Sequence, residues 1–264
     1  MKTALTVNNR INRLFEQKQG DILSVYFTAG YPKVDDTRLI VETLANAGVD
    51  LIEIGIPFSD PVADGPTIQA SSQVALDNGM TLEKLFTQIK NIRTSVDIPL
   101  ILMGYLNPIV QYGLPAFCDE AKAVGIDGLI IPDLPMHEYM DQYKALFDQN
   151  GLHNIFLVSP QTSEERIRLI DKNTDGFIYM VSSASVTGAK SDITTAQEDY
   201  FKRVNNMGLK NPALIGFGIS NKVTFQKACA YAKGAIIGSA FIKQLSAEQD
   251  LQTSITGFIK TIKD

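Results

Sequence analysis

The stretch Gly48-Val-Asp-Leu-Ile-Glu-Ile-Gly55 has an echo further along the chain, Gly125-Ile-Asp-Gly-Leu-Ile-Ile-Pro132, with shorter versions at Asp175-Gly-Phe-Ile-Tyr179 and Lys233-Gly-Ala-Ile-Ile237. In each, a glycine that can end a helix is followed almost at once by a short aliphatic run, the pattern of a tight helix-to-strand turn and a buried strand. Outward from these echoes, such runs number eight: residues 22–27 (ILSVYF), 51–54 (LIEI), 100–103 (LILM), 128–131 (GLII), 155–158 (IFLV), 177–181 (FIYMV), 213–215 (ALI) and 235–237 (AII). They are nearly continuous in hydrophobicity, without in/out alternation, as expected for parallel strands covered on both faces by helices.

The segments between them carry helical signals. Ile40, Leu44 and Ala47 share one face, and Gly48 supplies a stop. Thr162 and Glu165 form a capping-box pattern ahead of Ile167 and Ile170, and Ser246 and Gln249 repeat it ahead of Leu251, Ile255, Phe258, Ile259 and Ile262. Ile11, Leu14 and Phe15 predict one more helix before the first strand, ending at Gly20. Eight strand–helix units in this chain leave about 33 residues each, close to the ~30 of one such unit. The expectation is an α/β fold: a single-domain (β/α)8 TIM barrel over residues 1–264 with an extra N-terminal helix. No linker or low-complexity segment marks a boundary. An open doubly wound sheet is the alternative, but no GxGxxG follows the first run.

Composition narrows the function. The 264 residues hold 24 Lys+Arg against 29 Asp+Glu, a net charge of −5. That balance argues against nucleic acid as a partner. No apolar run approaches the ~18 residues a membrane helix needs. The first residues, MKTALTVNNRINRLFEQ, lack a signal-peptide core, since the apolar stretch breaks at Asn8 and Asn9. Two cysteines, Cys118 and Cys229, imply no disulfide framework and fit a reducing cytoplasm. Two His and two Cys leave little for a zinc site.

In such a barrel the chemistry sits on loops at the C-terminal ends of the strands. Glu53 lies inside an apolar strand, where a carboxylate is costly unless paired or functional. Burial would raise its pKa and suit it to give and take protons near neutrality. An interior ion pair and a catalytic acid/base are equally open at this point. The next loop, Gly55-Ile-Pro-Phe-Ser-Asp-Pro-Val-Ala-Asp-Gly-Pro66, holds three Pro and two Asp and exceeds the two to six residues a simple connection needs. Its Asp-Pro and Asp-Gly pairs also suit an ordinary turn-rich connector. Gly216-Phe-Gly-Ile-Ser220 and Ile237-Gly-Ser-Ala240 follow the seventh and eighth runs, where barrels often bind phosphate on backbone N–H groups, and Val186-Thr-Gly188 is a further contributor. His137 and His153 are expected to be exposed, Cys118 and Cys229 to be packing residues, and Glu83, Lys84, Lys90 and Arg93 to form a solvated face.

The run Glu53-Ile-Gly-Ile-Pro-Phe-Ser-Asp-Pro-Val-Ala-Asp64-Gly-Pro-Thr-Ile-Gln69 closely resembles the signature of the tryptophan synthase alpha subunit family. Phe27-Thr-Ala-Gly-Tyr-Pro32, Leu102-Met-Gly-Tyr-Leu-Asn-Pro108, Pro132-Asp-Leu-Pro135 and the three glycine motifs also match, in family order from residue 27 to 240. The resemblance implies a (β/α)8 barrel that cleaves indole-3-glycerol phosphate by a retro-aldol reaction to indole and glyceraldehyde 3-phosphate. It implies Glu53 as general acid/base and Asp64 as the group that handles the indole N–H proton. Tyr179 would pack near the catalytic carboxylate, and Thr187 would hydrogen-bond Asp64 when the loop after the sixth strand closes. Gly188, Gly218, Gly238 and Ser239 would cradle the phosphate, with Tyr26, Leu157 and Phe217 lining the indole pocket. No metal or organic cofactor is implied in this chain. A beta subunit carrying pyridoxal phosphate would join it in an α₂β₂ complex, with Asp60, Asn107, Pro108 and Asp133 at the contact. Ser183 and Ser185 depart from the family pattern, which usually has Gly at the second position and often Arg at the first, and Ser185 is expected to stiffen the loop. Two other readings remain: an alpha-like chain that mainly activates a beta subunit, and a different phosphate-binding barrel such as an isomerase of histidine or tryptophan biosynthesis. The intact Glu53 and Asp64 disfavour the first, and the long loop after the second run disfavours the second.

Overall fold

A computed structural model of the chain describes residues 9–181, 194–216, 218–246 and 250–264. Nine parallel segments form one sheet: β1 (Ile22–Thr28), β2 (Leu51–Gly55), β3 (Leu100–Met103), β4 (Gly128–Ile130), β5 (His153–Ile155), β6 (Leu157–Val158), β7 (Ile178–Val181), β8 (Ala213–Gly216) and β9 (Gly234–Ile237). Their order is β5-β4-β3-β2-β1-β9-β8-β7-β6. The two ends of that order are neighbours in sequence, separated by Phe156, whose carbonyl accepts from Tyr179 N–H at 3.1 Å. β5 and β6 are therefore two halves of one broken strand, and the sheet is an eight-membered barrel that closes on itself. Every strand read from the sequence is present with its ends within two residues, and the run at 155–158 is the one that splits.

Helices follow the strands around the outside. The one continuing from Gly48's upstream face spans Thr37–Asn46 and buries Ile40, Val41 and Leu44; Gly48 adopts φ +84°, the left-handed conformation that stops it. Two predicted caps move. Ser163, not Thr162, caps Glu164–Asn173 by accepting from Arg166 N–H, and Asp250, not Ser246, caps Leu251–Lys263 by accepting from Thr253 N–H. In both cases the polar residue directly before the helix reaches the third helical N–H, which is what a cap must do.

Side-chain alternation divides the apolar residues between two layers. One set, including Val25, Phe27, Ile52, Ile54, Leu100 and Leu102, packs between strands and helices. The other fills the barrel: Ile22, Leu51, Ile101, Ile130, Ile155, Phe177, Leu214 and Ile236. The N-terminal helix Arg10–Gln17 closes the lower mouth with Ile11, Leu14 and Phe15, the last with its ring centroid 5.8 Å from that of Phe177. Asn9 caps this helix and also donates to the carbonyls of Asp127 (2.7 Å) and Gly151 (3.0 Å). Asp127 itself is buried and accepts from Arg10, Arg93 and the Leu100 N–H.

Arg93 thus departs from the expected solvated face. Its guanidinium donates to the carbonyls of Gly125, Val96 and Ile98 as well as to Asp127, so it clamps the entries to β3 and β4. His153 departs too. It lies on β5 at the floor, half-buried, with Nε2 out of contact with water, and burial pushes its pKa down. His137 is exposed as expected. Cys118 is buried and Cys229 half-buried, both without a disulfide.

Candidate active site

Glu53 is the third residue of β2. Leu51 below it points into the barrel and Ile52 and Ile54 point out, so alternation turns Glu53 inward. It is fully buried, 0% exposed. Its Oε1 accepts a 2.8 Å hydrogen bond from the Ser24 hydroxyl on β1, and Oε2 is buried without a hydrogen-bond partner. No cation pairs with it among the hydrogen bonds and ion pairs of the described residues. Burial pushes its pKa up to about 8, with the Ser24 bond pulling the other way. Among the described residues no interior ion pair forms, and the carboxyl stands with a pKa raised into the neutral range.

Asp64 stands on the proline-rich loop above β2, 7% exposed. Its Oδ2 accepts from the Tyr105 hydroxyl at 3.1 Å, and burial raises its pKa to about 6 against that bond. Tyr105 lies just past β3. Its hydroxyl also accepts from Ala63 N–H at 2.9 Å, and its ring packs on Phe58 at 5.3 Å between centroids. One side chain therefore grips the loop at three places. Tyr105 went unassigned in the sequence reading, although it sits in the matched motif Leu102–Pro108; a tyrosine directly after a strand end was the available signal.

Two more tyrosines complete the upper barrel. Tyr26, paired in register with Glu53, and Tyr179, paired with Leu157, are both nearly buried. A Cβ on Gly55 would fall 2.2 Å from the Tyr26 hydroxyl oxygen, and one on Gly216 would fall 2.4 Å from that of Tyr179. These glycines end β2 and β8, and their missing side chains are the space in which the two rings lie. Burial and the charges of Glu53 and Asp64 raise both phenol pKa values, so both hydroxyls stay protonated.

On the opposite rim, Gly218 adopts φ +79°, and Gly238 precedes the short helix Ser239–Leu245, with exposed Ser239 at its start. The Tyr26 ring lies 3.5 Å from where a Gly238 Cβ would stand, so this rim borders the ring of the pocket. Leu157 is half-buried against the inner cluster. Thr187, Gly188 and Phe217, and with them Ser183 and Ser185, lie outside the described residues. Around the same mouth, Asp60, Asn107 and Asp133 are exposed and Pro108 is half-buried. Asp133 accepts from Leu106 N–H at 2.9 Å and so ties the loops after β3 and β4 together. Val62, beside Asp60, is 83% exposed. No cluster of potential metal ligands occurs among the described residues.

Comparison with known proteins gives one answer. The family model described as tryptophan synthase alpha chain matches residues 13–262. The tryptophan synthase alpha chain of Flavobacterium johnsoniae is 63% identical over 238 residues, covering 89% of this chain and 94% of that one. That of Flavobacterium psychrophilum is 58% identical over 254 residues, covering 96% and 99%. Among solved structures, the tryptophan synthase alpha subunit of Legionella pneumophila superposes with a TM-score of 0.87 at 32% identity, covering 97% of each chain.

Proposed function

This chain belongs to the tryptophan synthase alpha chain family, and from that premise we propose that Glu53 and Asp64 carry its reaction. The reaction is cleavage of indole-3-glycerol phosphate to indole and glyceraldehyde 3-phosphate, and the chain is a carbon–carbon lyase of L-tryptophan biosynthesis. An indole carbanion is a poor leaving group, so C3 must gain a proton before its bond to the glycerol carbon breaks. Glu53 supplies that proton and takes one from the glycerol hydroxyl as the aldehyde forms. Asp64 takes the indole N–H proton, which makes the ring electron-rich at C3, and returns it when aromaticity is restored. The observation that carries this assignment is the burial of Glu53 with one bonded oxygen and one unbonded, at a pKa of about 8.

The remaining roles follow the same reading. Tyr26, Leu157 and Phe217 line the indole pocket, and Tyr179 packs beside the carboxyl. Gly188, Gly218, Gly238 and Ser239 hold the phosphate on backbone donors, an anchor remote from the breaking bond that orients the reacting carbon. Thr187 joins Asp64 when the loop after β7 closes. The partner is a beta subunit in an α₂β₂ complex; it holds pyridoxal phosphate, and this chain needs no cofactor of its own. Asp60, Asn107, Pro108 and Asp133 border the mouth through which indole would pass to it. The setting is cytoplasmic, in keeping with two unpaired cysteines and with no helix among the described residues long and apolar enough to cross a membrane. Both carboxyls stand ready for chemistry, which speaks against a chain that only activates its partner.

Glu53→Gln keeps the side-chain shape and the Ser24 contact but cannot exchange the proton. Its indole release, assayed with and without the beta subunit, is expected to fall by about 10⁴-fold, the upper end for an acid/base group because two transfers are lost. Full turnover in that variant refutes the assignment.

A further inference from the structure

We propose that Ser24 is a positioning residue for this reaction: its hydroxyl holds Oε1 of Glu53, so that the exchangeable proton is carried on Oε2, the oxygen left for the substrate. The inference rests on the reading of Glu53 as the acid/base.

Ser24 lies on β1 between Ile22 and Tyr26, both of which face the barrel interior, so alternation turns its side chain inward as well. It is fully buried among aliphatic neighbours. A hydroxyl there is costly unless bonded, and an Ala or Val would fill an aliphatic layer without that cost. The bond it makes is the 2.8 Å donation to Glu53 Oε1. A neutral carboxyl has one carbonyl oxygen that accepts and one O–H that donates. A donor fixed on Oε1 makes that oxygen the carbonyl and leaves the proton on Oε2, which has no hydrogen-bond partner among the described residues. The transfer then balances. The Oε2–H proton goes to indole C3, the C3–glycerol bond breaks with its electron pair returning to the ring, and the glycerol hydroxyl proton goes to the carboxylate as its C=O forms.

Ser24 also tunes the group it holds. Its hydrogen bond favours the charged carboxylate and opposes the larger effect of burial. The ionisable groups turned toward Glu53 are Tyr26 from β1 and Tyr179 from β7, with Asp64 above on the loop after β2. Both phenols stay neutral, so Ser24 is the described group that most directly offsets burial.

The test is a pH profile of indole release by the full-length chain with its beta subunit, comparing wild type with Ser24→Ala, Ser24→Cys and Glu53→Gln. Wild type should lose kcat/KM on the alkaline side as Glu53 gives up its proton. Ser24→Ala is expected to lower kcat about tenfold, the worth of one well-placed hydrogen bond, with KM nearly unchanged. Its alkaline limb should move to higher pH, because the carboxylate loses its donor. Ser24→Cys, close in size and a weaker donor, should fall between the two, and it keeps the test alive if the alanine variant fails to fold. A Ser24→Ala or Ser24→Cys enzyme with wild-type kcat and an unmoved limb overturns the proposal while Glu53→Gln is dead. Turnover by Glu53→Gln would instead overturn the reading of Glu53.

Discussion

Two of the buried carboxylates among the described residues, Asp127 and Glu53, are treated in opposite ways. Asp127, at the floor, is 3% exposed; Glu53, near the mouth, is 0% exposed. Asp127 accepts from two guanidinium groups and a backbone N–H, and its main-chain carbonyl accepts from Asn9. Among the described residues, Glu53 has one hydroxyl donor and one oxygen without a partner. Equal burial therefore carries no fixed meaning. A saturated carboxylate is a structural knot, tied to its partners by hydrogen bonds. A half-satisfied one is held at the edge of ionisation, ready to exchange a proton with whatever enters.

The contrast breaks most sharply at the floor. Asp127→Ala leaves Arg93 and Arg10 without their shared partner and frees the Leu100 N–H. It is expected to cost about 3–5 kcal/mol of unfolding free energy in denaturant titration, while kcat per folded molecule stays near wild type. A loss of kcat with stability intact would show that the floor and the mouth are not separate in role.

An effect of opposite sign is expected at the mouth. The pKa of Glu53 is raised in the folded chain from the ordinary 4.5 to about 8, so folding favours its protonated form. That destabilises the native state progressively as pH rises from about 5 to about 8, where the unfolded chain has already released the proton. Glu53→Gln cannot ionise. Relative to wild type it should gain stability across that window, by a few kcal/mol, and level off above it. Thermal melts of both proteins at pH 5 and pH 8.5 decide this: an unchanged difference in Tm means that Glu53 is not a strained acid.

The smallest expected effect sharpens the comparison within the mouth. Tyr105→Phe removes the donor to Asp64 and the acceptor of Ala63 N–H. The pKa of Asp64 should rise above its present value of about 6. In the base role proposed for Asp64, activity is lost below its pKa, and the acid limb of kcat should move to higher pH with about a tenfold drop in kcat. An unmoved acid limb would remove Asp64 from the rate-limiting proton transfer.

The barrel was legible in the sequence because buried parallel strands announce themselves by composition alone, and Glu53 was conspicuous as a charge inside one. Its ring of neighbours was not. Ser24 and Glu53 are 29 residues apart, and only the register that sets Ser24 beside Leu51 and Tyr26 beside Glu53 brings hydroxyl to carboxyl. Tyr105 reaches Asp64 from the next strand, 41 residues on. Arg93 read as one of several charges on a polar stretch; its partners lie across a turn at 125–127. The break at Phe156 likewise follows from barrel closure and leaves no mark on a uniformly apolar run.

The N-terminal helix has a consequence for how the chain is made. Arg10–Gln17 leaves the ribosome well before the groups that seat it: Asp127 and Gly151 for Asn9, and Phe177 for Phe15. At ordinary translation rates that wait is about 10–30 s, during which Ile11, Leu14 and Phe15 have no native surface to cover them. The plug of the finished barrel is, for that interval, a greasy segment that the nascent chain must carry until its floor exists.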